Sequence, residues 1–192
     1  MDKPQVIILA AALFAGFTGL AGCAPGNRAS GDAATPTAVT TKKMENVTGA
    51  TTATRGTTVG NLAPDFQLTQ TDGAQVSLES LRGHPAVVVF WTAWCPFCKE
   101  EAPRINELAA KYEARGVRVL GINIQDSEAR TAGGVKDFGI KYAVARDADA
   151  SVARTYKVQG TPTVLFLDKE GVVRYTGNEL PEDYPARLDA LL

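Results

Sequence analysis

Residues 86–91 read Ala-Val-Val-Val-Phe-Trp, an apolar run with no polar position on either alternating face, preceded by Gly83 and Pro85. Side chains of a strand alternate between two faces, so a run that is apolar throughout is protected from water only when both faces are covered. The run therefore predicts a central strand with helices on each side. Val117–Ile124 (VRVLGINI) is a second strand of this type, and TPTVLFLD, residues 161–168, contains a third. VVRYT, residues 172–176, follows the Asp168-Lys169-Glu170-Gly171 turn and should pair with the third as a hairpin. Residues 181–192 read as a closing helix with Tyr184, Leu188, Leu191 and Leu192 on one face. Strands alternating with helices and ending in a hairpin predict an α/β fold covered on both faces.

A chain of 192 residues, 45% hydrophobic and 21% charged, has the length and composition of one globular domain with a real core. Its 20 basic and 21 acidic side chains give a formal charge of −1, which provides no field to hold a nucleic acid backbone. Three cysteines, Cys23, Cys95 and Cys98, leave one over if two pair.

The N-terminal region accounts for the odd one. Lys3 precedes an apolar stretch from Val6 to Leu20, about 15 residues, too short at roughly 1.5 Å per residue for a ~30 Å hydrocarbon core but suited to a signal peptide. It ends in Leu-Ala-Gly-Cys, residues 20–23, which resembles the bacterial lipobox. That resemblance implies a signal peptide over 1–22 and lipidation of Cys23, with the rest of the chain extracytoplasmic and held at the cell membrane. Residues 23–58 contain no aromatic side chain and little that is large and apolar, so they read as a disordered Thr/Ala-rich tether with a span of roughly 30 Å. The folded domain is expected over 59–192.

Cys95 and Cys98 lie between the first buried strand and a helix. With Cys95 at the boundary, Pro96 occupies the first helical position, where the missing N–H costs nothing. Unpaired amides and the positive dipole end at such a site favour an anion, which lowers the pKa of a thiol. The stripe Ala102, Ile105, Leu108, Ala109 and Tyr112 turns one helix face inward, so Cys98 should be the buried partner and Cys95 the exposed attacker. Glu101 falls on or beside that stripe within one turn of Cys98, where its carboxyl could take a proton from the second thiol. Glu100 should pair with Arg104 on the surface. Trp94, Pro96 and Phe97 around Cys95 offer an apolar rim for a partner peptide, and Trp91 should be core.

Several chemistries compete for this pair. A disulfide closing so short a loop constrains the unfolded chain little and is a poor staple. Structural zinc requires four ligands, and beyond the two thiols only His84 is available. Haem attachment requires a histidine where Lys99 stands. Copper binding with His84 and a peroxidase built on Thr92 and Cys95 remain as alternatives to a redox couple.

Trp-Cys-Pro-Phe-Cys after a buried strand resembles the thioredoxin active site, and Gly160-Thr161-Pro162-Thr163 resembles the loop whose proline is cis and faces the disulfide. Together with VGNLAPDF, residues 59–66, and CKEEAP, residues 98–103, these motifs are similar to those of the ResA/TlpA/DsbE group of membrane-tethered thioredoxin-like proteins. The resemblance implies a thioredoxin-like fold with a central mixed β-sheet flanked by helices on both faces. It also implies Cys95 as nucleophile, Cys98 as resolving thiol, Glu101 as buried acid and Pro162 as the cis proline. Cytoplasmic thioredoxins carry an aspartate six residues before the first cysteine; Val89 stands there, so the acid must be Glu101. Thr161, extended ahead of the proline, can pair with a substrate strand. The implied partners are protein thiols and disulfides and a membrane thiol–disulfide partner for recycling. No cofactor or metal is required, and electron flow can run either way.

Overall fold

A computed structural model describes residues 54–192. The expected signal peptide, Cys23 with its expected lipidation, and nearly all of the expected tether lie outside the described residues. Residues 54–58, assigned to the tether by composition, belong to the ordered part: Leu62 N–H donates to the Thr54 carbonyl at 3.0 Å and Arg55 pairs with Asp65 at 2.6 Å.

Seven strands form one mixed sheet. In chain order they are β1 (Gln67–Gln70), β2 (Gln75–Ser77), β3 (Ala86–Trp91), β4 (Arg118–Ile124), β5 (Ala143–Asp147), β6 (Thr163–Leu167) and β7 (Val173–Gly177), arranged β2-β1-β5-β4-β3-β6-β7. The β3/β4 and β4/β5 pairs are parallel and the others antiparallel. The helices are α1 (Leu78–Leu81), α2 (Pro96–Tyr112), α3 (Glu128–Asp137), α4 (Ser151–Thr155) and α5 (Tyr184–Asp189). None of the helices among the described residues is long and apolar enough to cross a membrane.

Every residue of β3 is buried, as its composition requires. Val88 and Phe90 pack on one face with Leu78, Val152 and Tyr156, while Val87 and Val89 pack on the other with Ile105, Leu108 and Leu188. The predicted strands and terminal hairpin are present, with α5 shorter than the expected 181–192. Leu188 is buried, but Leu192 lies past the helix and is exposed, so it does not join the apolar face. Helix α2 continues through Pro103, which is exposed, to Tyr112.

The register decides where loops meet. Trp91 at the end of β3 is level with Asn123 near the end of parallel β4, while Phe90 faces Thr163 at the start of antiparallel β6. The segments after β3, after β4 and before β6 therefore converge at one end of these central strands.

Tyr142 and Tyr156 are both buried, and desolvation holds both phenols well above the usual tyrosine range, with the Glu101 charge adding to the effect at Tyr142 and Asp65 at Tyr156. A folded-state pKa raised above the unfolded value contributes stability that is complete below about pH 10 and is lost as pH rises beyond it. Urea denaturation across alkaline pH should show this loss, and Tyr142→Phe and Tyr156→Phe should each make the decline shallower. A slope that neither substitution changes would contradict the assignment.

Candidate active site

Cys95 is the N-cap of α2, with Pro96 in the first turn, so the fully buried strand β3 feeds directly into the reactive loop. Cys95 and Cys98 form a disulfide with Cα atoms 5.3 Å apart. The Cys98 N–H donates to Cys95 Sγ at 3.0 Å, the bond expected of a side chain capping a helix N-terminus. The Thr161 carbonyl oxygen lies 3.2 Å from the same sulfur, and the Thr161–Pro162 peptide is cis. Structure and sequence differ on exposure: in the disulfide Cys95 is 3% exposed and Cys98 5%, so Cys95 is not the open one of the pair. Trp91, Val144, Ala93 and Phe138 pack around the sulfurs. The exposed apolar surface belongs to the neighbours, Trp94 at 70% and Phe97 at 67%, with Pro96 exposed between them.

Glu101 lines a crevice with Cys98, Trp91, Tyr142, Phe138 and Pro162 that is too narrow to admit a water molecule. Its carboxylate accepts the Leu180 N–H at 2.8 Å and pairs with Arg104 at 3.2 Å. Arg104 also reaches Glu182 at 3.1 Å. The partner of Arg104 on the helix is thus Glu101 rather than Glu100, because three positions bring their heads together beside the loop that carries Leu180 and Glu182. Tyr142, whose phenol is held protonated by burial, is not a base in this crevice. Val89, where cytoplasmic thioredoxins have an aspartate, is an apolar wall.

His84 precedes β3 and Cys95 follows it, so the length of the strand, roughly 20 Å, separates them. The imidazole Nδ1 lies 3.1 Å from the Gly116 carbonyl at the far end of the sheet. This geometry removes the copper site that paired His84 with the cysteines.

A buried polar network beneath the reactive loop was not read from the sequence. Asp126 Oδ2 accepts the Ala93 N–H at 2.7 Å and Asn123 Nδ2 at 3.0 Å, and Thr131 Oγ1 donates to Asn123 Oδ1 at 2.8 Å. All three side chains are buried. The available signal was Asn123, a polar residue inside an otherwise apolar strand, which must find buried partners. Helix α3 also touches this loop through Gly134, where an added Cβ would meet the Ala93 Cβ at 2.8 Å and Trp91 at 2.9 Å.

The AhpC/TSA family model matches residues 59–176. The chain belongs to the AhpC/TSA family. Within its thioredoxin-like proteins it groups with ResA and DsbE. The protein named thiol-disulfide oxidoreductase ResA from Bacillus cereus is 34% identical over 115 residues, covering 60% of this chain and 66% of that protein, just under two thirds of its length. ResA from Geobacillus kaustophilus is 33% identical over 135 residues, covering 69% of this chain and 78% of that protein. Among solved structures, a secreted Mycobacterium tuberculosis disulfide oxidoreductase homologous to Escherichia coli DsbE superposes with a TM-score of 0.57 at 30% identity, covering 66% of this chain and 96% of that one.

Removing the Asp126 carboxylate leaves two donors without partners, so Asp126→Ala should destabilise the domain by about 2–4 kcal/mol. Both short bonds end on one oxygen. Asp126→Asn can keep them and should cost about 1 kcal/mol or less. Equal losses for the two variants in urea denaturation would contradict this account of the network.

Proposed function

We propose that the chain carries out thiol–disulfide exchange on protein partners through the Cys95/Cys98 couple, without a cofactor. The observation that carries this reading is the placement of Cys95 Sγ at the N-terminus of α2, accepting the Cys98 N–H and closed in a disulfide with Cys98.

In the reducing direction, Cys95 as thiolate attacks one sulfur of a partner disulfide. The partner S–S bond breaks, a mixed disulfide forms, and the departing partner sulfur takes a proton. Cys98 then attacks Cys95 Sγ, the Cys95–Cys98 bond closes, and the second partner sulfur leaves with the electron pair. Two electrons pass from the domain to the partner, and the reverse sequence oxidises a partner dithiol. Cys98 must lose its proton before attacking. Glu101 lines the same narrow crevice as Cys98, and its carboxylate is the acceptor assigned to this step. The exposed rings of Trp94 and Phe97 give a partner apolar contact area, with Pro96 between them. Thr161, beside the disulfide, offers backbone groups to an extended partner segment, and Pro162 beneath it walls the crevice.

The work is done outside the cytoplasm. In support, residues 20–23 have the lipobox pattern with Cys23 as the lipidated residue, and the Mycobacterium relative is described as secreted. The anchored domain exchanges with protein thiols and disulfides and is recycled by a membrane thiol–disulfide partner. Family membership and Thr92 favour peroxidase chemistry as a second reading, although the buried Thr92 hydroxyl has no hydrogen-bond partner. Rapid conversion of Cys95 to sulfenic acid by hydrogen peroxide would support it.

Equilibration with glutathione buffers should give a two-electron midpoint between about −270 and −120 mV, the lower end marking a reductant and the upper an oxidant. Cys98→Ser should accumulate a mixed disulfide with insulin through Cys95, and Cys95→Ser should form none. Failure of the domain to exchange with either glutathione or insulin would overturn the proposal. Glu101→Gln keeps an acceptor for the Leu180 N–H and should slow the resolving step on the order of 100-fold. An unchanged rate and pH profile would remove Glu101 from the mechanism.

A further inference from the structure

Beside the reactive loop, sharing no lining residue with the Glu101 crevice, lies an open cleft of about 390 Å³. Its walls come from the three segments that the sheet register brings together: Thr92 and Trp94 after β3, Gln125 and Arg130 after β4, and Gln159 and Thr161 before β6. Thr161, whose carbonyl lies 3.2 Å from Cys95 Sγ, and the exposed Trp94 both line it, so a strand laid along Thr161 with its cysteine at Cys95 would run past the cleft. The exchange reaction itself requires nothing of these polar walls.

The charges in the cleft are unequally available. Asp126 also lines it, but its side chain is 2% exposed and already accepts two short N–H bonds. Arg130 is 66% exposed, and among the described residues the carboxylate within 4 Å of it is Asp126, at 3.9 Å. That distance is too long for a tight pair, so several guanidinium donors remain for a ligand. Glu128, two residues before Arg130, does not line the cleft and stands 3.9 Å from Arg146. The amide of Gln159 is turned to the Lys157 carbonyl at 3.2 Å. A cation is therefore the strongest unfilled group that this cleft presents to a partner.

We infer that the cleft is a recognition subsite for acidic partner segments, with Arg130 as the specificity-determining residue. The segment carries an aspartate or glutamate two residues from its reacting cysteine, the spacing that places both side chains on the same face of an extended strand. Arg130 takes the carboxylate while Trp94 covers the apolar part of the same segment. This inference rests on the thiol–disulfide exchange reading, since the strand is delivered to the cleft by its cysteine.

The test uses disulfide-linked peptides of one length whose residues two positions from the cysteine are glutamate, glutamine or lysine. Their reduction by the reduced domain is normalised to that of hydroxyethyl disulfide, which carries no charge to be read. The glutamate peptide should react roughly fivefold faster than the lysine peptide, the scale of an exposed ion pair, with glutamine between them. The ratio should shrink at high ionic strength. Arg130→Glu should invert the order and Arg130→Gln should level it, with melting curves confirming that both variants are folded. A glutamate-to-lysine ratio that is the same in wild type and Arg130→Glu overturns the assignment. If hydroxyethyl disulfide and all the peptides fail to react, the exchange reading itself is wrong and the subsite falls with it.

Discussion

The junction between a strand buried on both faces and the first turn of a helix is the constraint on which the rest of the site depends. Because β3 cannot shift without exposing Val87, Val88, Val89 or Phe90, its C-terminal end is fixed in the sheet. Helix α2 is fixed in turn by Ile105, Leu108 and Tyr112 against one sheet face. The loop between them must place Cys95 where the unpaired amides of α2 point. A side chain that can accept one of those N–H bonds satisfies the helix, and a sulfur carrying negative charge satisfies it better than a neutral one.

The two sulfurs then meet different surroundings. Cys95 lies between a donor, the Cys98 N–H, and an acceptor, the Thr161 carbonyl. The donor favours its thiolate, whereas the carbonyl suits a thiol or a sulfur in a disulfide. Cys98 shares a narrow, largely apolar crevice with the Glu101 carboxylate, an environment in which a standing thiolate is costly. Glu101 has a second task there, because it also holds the Leu180 loop through the backbone N–H. On the other side, Asp126 fixes Ala93, two residues before the nucleophile. Two carboxylates thus serve the reactive loop, the half-buried Glu101 beside the chemistry and the buried Asp126 holding the backbone.

Much of this was legible because local signals agreed with the global fold. The apolar run of β3 matched the observed strand at both ends, and proline after Cys95 marked the helix start. The strands β1, β2 and β5 and the helix α3 were not singled out. Strands β1 and β2 are four and three residues long with Val76 their one buried side chain. Strand β5 is placed by pairing with β1 and β4, and α3 buries only Thr131 and Gly134, so the positions of these elements are set by partners distant in sequence. Burial of Cys95 was misjudged because helix periodicity describes only its own helix, while the cover over the sulfur comes from Trp91, Val144 and the Thr161 segment. The same reason hid the partner of Arg104: Glu182 and Leu180 arrive from beyond β7 and select Glu101 over Glu100. The cleft is assembled from three loops, and no single stretch of sequence contains it.

The central claim is that in the reduced protein Cys95, at the N-terminus of α2, is the activated nucleophile and Cys98 the resolving thiol. Alkylation of the reduced domain by iodoacetamide over a range of pH, with the labelled residue identified by mass spectrometry, tests this most directly. The account predicts that Cys95 is labelled first, with a midpoint below the value of about 8.5 for a free thiol, and that Cys98 resists labelling. Preferential labelling of Cys98, or a Cys95 midpoint at or above the free-thiol value, would contradict it.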